Sequence, residues 1–88
     1  MNRKILDIIT RKANITLDAV SLMPVSLVDE DFKKSVLGEF RSYCAGVMSC
    51  ATALGEVCPL ERGAYDDCIM GARTIITSAI DDRMRGIE

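Results

Sequence analysis

An all-α fold is predicted, with three helices, or four if the first is broken, and a long antiparallel hairpin formed by the last two. Three observations predict it. The apolar residues Phe32, Val36, Phe40, Tyr43, Val47, Cys50, Leu54 and Val57 step by four or three, which sets all eight along one side of a helix repeating every ~3.6 residues. The two prolines, Pro24 and Pro59, fall between periodic segments, where a helix must end or begin. Hydrophobic residues make up 49% of the 88 positions, enough for one core and too many for a disordered chain.

From Asn2 to about Met23, Ile5, Ile8, Ile9 and Ala13 share one side and Arg3, Asp7, Arg11 and Asn14 another, which describes an amphipathic helix. Asn14 and Thr16 are both acceptable caps and Asp18 suits a first turn, so a break near Asn14 stays open as an alternative. Pro24 ends the segment, and Met23 to Leu27 reads as a short connection. Ser26 to Asp29 has roughly the spacing of a capping box, and Asp29, Glu30 and Asp31 put negative charge at the positive end of a helix dipole. The second helix is expected from here to about Glu56, a length of about 40 Å. A second side of it carries Ser42, Gly46, Ser49 and Ala53, small residues that let another backbone come close. Gly55 and Pro59 bracket the next turn. Between Leu60 and Arg85 the third helix sets Tyr65, Ile69, Ile76 and Ile80 in one row and Cys68, Ala72, Ile75 and Ala79 in the adjoining row. Arg62, Asp66, Arg73, Thr77 and Asp81 face the other way. Gly86 is the expected stop. Glu30 with Lys34, and Asp81 with Arg85, are expected ion pairs.

One domain spanning 1–88 is expected, since chains divide only well beyond ~200 residues. Eleven basic and 13 acidic residues leave a net charge of -2, without the basic field of a typical nucleic-acid binder. Apolar runs fall far short of the ~20 residues that cross a bilayer, and no signal-peptide pattern follows Met1. A cytoplasmic protein with reduced thiols is therefore expected. Histidine is absent, and Cys44, Cys50, Cys58 and Cys68 form no C-x-x-C pair, so no catalytic, cofactor or metal site is assigned. Asp66-Asp67 and Asp81-Asp82 are helix neighbours that diverge by about 100°, which suits a solvated face. Cys50 and Cys68 lie equally far from Pro59 in sequence. A hairpin pivoting there makes them a facing thiol pair or two small buried residues.

Two sets of residues are candidates for partner contact: the basic Arg3, Lys4, Arg11 and Lys12, and the small Ser42, Gly46, Ser49 and Ala53. The leading expectation is a non-enzymatic protein that binds a larger assembly, as an adaptor, a chaperone-like subunit or an inhibitor of the compact sort that phages and mobile elements encode. Surplus apolar surface on the second helix also predicts a homodimer. A small DNA-binding regulator ranks second. After a helix ending near Lys12, the segment from Thr16 to Met23 has helix-turn-helix spacing. Nucleic acid is nevertheless not favoured as a partner, because Leu17 to Leu22 offers no arginine, lysine, asparagine or glutamine to read base edges.

The pattern Ile8-Ile9, then Ile15, then Val20 resembles the opening helix and loop of acyl carrier proteins, which are also small, acidic and helical. The resemblance covers the first third of the chain and implies a prosthetic arm on Ser35, within Lys34-Ser35-Val36. The aspartate that precedes the serine in that family is absent here and the flank is basic, which ranks a carrier function third.

Overall fold

The computed structural model describes residues 2–86. Helix α1 spans Arg3–Leu22, α2 spans Glu30–Ala53 and α3 spans Arg62–Met84. A 3-10 turn lies in each connection, Val25–Leu27 and Pro59–Glu61. The fold is all-α, and α1 is unbroken. Thr16 does not cap a new helix; its hydroxyl donates to the Lys12 carbonyl at 2.8 Å, one turn back.

Local chemistry accounts for each terminus. Asn2 caps α1, its Oδ1 accepting the Lys4 N–H at 2.9 Å. Met23 takes the extended backbone that a following proline imposes. Asp29, rather than Ser26, caps α2 by accepting the Phe32 N–H at 2.9 Å, and Glu30 and Asp31 fill the first turn. Helix α2 stops at Ala53, short of Glu56, because Gly55 adopts φ +73°. The Gly55 and Glu56 N–H groups then fold back onto the carbonyls of Thr52 at 3.1 Å and Ala51 at 2.8 Å, the Schellman arrangement that only a residue tolerating positive φ permits cheaply. Gly86, at φ 72°, follows the end of α3, its N–H donating to the Arg83 carbonyl at 3.0 Å.

Long-range polar contacts fix the topology. Lys33, near the start of α2, donates to Asp81, near the end of α3, at 2.8 Å, so these helices run antiparallel. The Asn2 backbone N–H donates to the Tyr65 hydroxyl early in α3, and Arg83 late in α3 donates to the Met23 carbonyl. Helix α1 is therefore parallel to α3 and antiparallel to α2. The three form a rod of 44 × 17 × 17 Å.

A single core gathers Ile5, Ile9, Ala13 and Val20 from α1, Phe40, Cys44, Met48 and Ala51 from α2, and Tyr65, Ile76 and Ile80 from α3. Val28 and Val57 join it from the two connections. The eight residues expected along one side of the second helix do not share one environment, and Val57 lies beyond the end of α2. Phe40 and Val57 are buried and Phe32, Val36 and Val47 half-buried, while Tyr43, Cys50 and Leu54 are exposed. The inward row is Phe40, Cys44, Met48 and Ala51, because α2 must face both α1 and α3 and the direction between them lies beside the sequence stripe.

The expected ion pairs are also redistributed. Asp81 reaches across to Lys33, Arg85 bonds Asp82, and Glu30 and Lys34 form no pair. The hydrogen bond to Asp81 raises the Lys33 pKa above its ordinary 10.5, burial opposes that rise, and the charges of Asp81 and Glu30 add to it. A base with a raised folded pKa contributes its stability in full below the unfolded value and loses it as pH climbs through the folded one. Urea titrations of the wild type and Lys33→Gln should therefore differ at neutral pH and converge only after the pH has passed 10.5.

Candidate functional site

An open apolar groove of about 610 Å³ lies between the first half of α1 and the second half of α2. Lys4, Ile5 and Ile8 form one wall; Tyr43, Val47, Cys50 and Leu54 form the other, with Ser42 and Gly46 beside them. It exists because α1 buries Ile5, Ile9 and Ala13 against the hairpin and leaves the neighbouring shoulder of α2 uncovered. A methyl at Gly46 would meet nothing within 4 Å. The close backbone approach expected along Ser42, Gly46, Ser49 and Ala53 is thus made by no described segment of this chain, and all four residues are exposed.

Polar contacts hold both ends of the groove. At one end Asn2 Nδ2 donates to Glu56 Oε2 at 2.9 Å, tying the start of α1 to the α2–α3 connection. At the other, Lys12 Nζ donates to Glu39 Oε1 at 2.9 Å and sits 5.0 Å from the centroid of the Tyr43 ring, a cation over an aromatic face. Lys12 is therefore engaged within the chain. Arg3, Lys4 and Arg11 are exposed. Arg11 borders a recess of about 100 Å³ together with Ile8, Ile15 and Tyr43.

A second groove, of about 450 Å³, runs along the other flank of α1, where Leu6, Thr10 and Leu17 face Cys68, Gly71 and Ile75 of α3. No charged residue lines it. The two grooves separate the thiols expected to face each other. Cys50 opens into the first and Cys68 into the second, and both are exposed, as is Cys58. Equal distance from Pro59 sets a level along the hairpin but not a rotation about each helix. With Tyr65 and Ile76 turned inward, Cys68 is carried to the far flank of α1. The buried thiol is Cys44, whose pKa burial pushes up against the opposing charge of Lys12.

The adjacent carboxylates act separately: Asp81 with Lys33, Asp82 with Arg85, and Asp66 with Arg62 at 4.0 Å. Among the described residues no three side chains are grouped to hold a metal ion, and no helix is long and apolar enough to cross a membrane. Continuous helix from Arg3 to Leu22 leaves no turn for a helix-turn-helix between Lys12 and Thr16. Ser35 lies exposed in the second turn of α2. One surface feature escapes the periodicity argument for α1: Ile8, Ile15 and Leu22 are 39%, 57% and 83% exposed. Their seven-residue spacing, offset from buried Ile5, Ile9, Ala13 and Val20, is the signal that marks them as a second stripe.

No protein-family model, curated protein or solved structure matches the chain.

Proposed function

We propose that the chain is a non-enzymatic binding protein that holds an amphipathic helix of a larger protein in the groove between α1 and α2. The groove's uncovered apolar wall carries this reading: Leu54 is 77% exposed, and Tyr43 and Cys50 are exposed beside it. Apolar side chains gathered in one concavity are the usual mark of an interaction surface, and a trough between two helices takes a third by its shape. Gly46 and Ser42 leave room for a backbone to approach. Lys4, on the rim, has no ion-pair partner among the described residues, which favours an occupant carrying an acidic residue at that end.

A photoreactive amino acid at Tyr43 in the native cell, compared with one at exposed Asp67, tests the proposal. The expected result is one protein crosslinked from position 43 through a helical peptide, none from position 67, and loss of the crosslink in Gly46→Glu. Gly46→Ala should meanwhile raise stability by about 0.5–1 kcal/mol in urea titration, showing that the position tolerates a side chain. Equal labelling from both positions would overturn the proposal. So would recovery of nucleic acid alone, with affinity that falls steeply in salt and on Arg11→Glu. An intact mass showing an added arm on Ser35 would support the carrier reading instead.

A further inference from the structure

We infer that two copies of this chain pair through the outer face of α1, antiparallel about a two-fold axis near Ile15. The face is an unpartnered apolar line with charges set between its members. Ile8, Ile15 and Leu22 become steadily more exposed along the helix. Arg11 and Asp18 are exposed and make no side-chain hydrogen bond or ion pair among the described residues. Seven residues apart, they are too distant to serve each other within one helix. The pairing brings Ile15 against the partner's Ile15 and Ile8 against the partner's Leu22. It also brings Arg11 against the partner's Asp18, and the two-fold repeats every contact. A parallel pairing would instead set Arg11 on the partner's Arg11 and Asp18 on the partner's Asp18. Charge complementarity therefore selects both the occupant, a second copy, and its direction.

Lys12, the other cation near this line, is held by Glu39 and Tyr43. Exposed Ala19 leaves the middle of the face low enough for close contact. The line lies along residues 8–22, whereas most of the groove wall is on α2. Ile8 is shared with the groove wall, so a pair would carry two grooves, each meeting the seam at that residue.

Sedimentation equilibrium with a charge-swap series tests this pairing. The wild type should reach twice the 9.6 kDa chain mass at high micromolar concentration. Ile15→Asp should remain at single-chain mass throughout. Asp18→Arg should weaken association by about tenfold or more, and adding Arg11→Asp to it should restore wild-type affinity, since both ion pairs re-form with reversed sign. Circular dichroism should be unchanged, because these positions are exposed; should Ile15→Asp lose helix, Leu22→Ser provides the same reading. The pairing is overturned by a wild type that keeps single-chain mass up to ~1 mM, or by a dimer indifferent to Ile15→Asp. It is equally overturned if the double swap associates no more tightly than Asp18→Arg alone.

Discussion

Phe40→Ala should lower the thermal midpoint by roughly 15–30 °C, followed by far-ultraviolet circular dichroism. Phe40 is fully buried at the centre of α2, and truncating such a side chain costs about 3–5 kcal/mol in lost transfer energy and residual cavity. A chain of this length holds only about 4–13 kcal/mol in all. Tyr43 belongs to the same periodic row but is 42% exposed, so Tyr43→Ala should cost only about 1 kcal/mol, much of it the contact with Lys12. Equal losses at the two positions would mean that α2 is rotated so that Tyr43 is buried as deeply as Phe40.

Thiol labelling should separate the four cysteines just as sharply. Cys50, Cys58 and Cys68 are exposed and should react promptly with an aromatic disulfide reagent in the folded protein. Cys44 is 1% exposed and should lag by a factor of ~10³ or more, since reagent reaches it only when the core opens. Burial also raises its pKa, which lowers the reactive thiolate fraction further. In denaturant all four should react alike. Four prompt thiols in the folded state would show an open core, and fewer than three would show that one or more of Cys50, Cys58 and Cys68 is covered or paired.

The punctuation of this fold is written locally. Pro24, Asp29, Gly55 and Gly86 act within a turn of themselves, and each marks a boundary as its chemistry requires. Rotation about the helix axes is not written locally. Helix α2 is apolar or small around much of its circumference, so spacing alone cannot say whether Tyr43 and Cys50 or Cys44 and Met48 turn inward; the position of α1 decides that. The same limit separates Cys50 from Cys68: equal distance from Pro59 sets them level in the hairpin, but the inward turn of Tyr65 and Ile76 decides which way α3 faces and leaves both thiols exposed. The candidate groove was half legible. Lys4, Ser42 and Gly46 are drawn from residues the sequence points to, but Asn2, Glu39 and Glu56, which fix its ends, join only through tertiary contacts.

The slender outline of the molecule bears on how its mass must be measured. Its Cα radius of gyration is 14.2 Å, against about 12 Å for a compact chain of this length. A needle-like particle drags more solvent than a ball of equal weight, so a gel-filtration column calibrated with spherical standards would report a lone copy as heavier than it is. Weighing by sedimentation equilibrium or light scattering removes that bias.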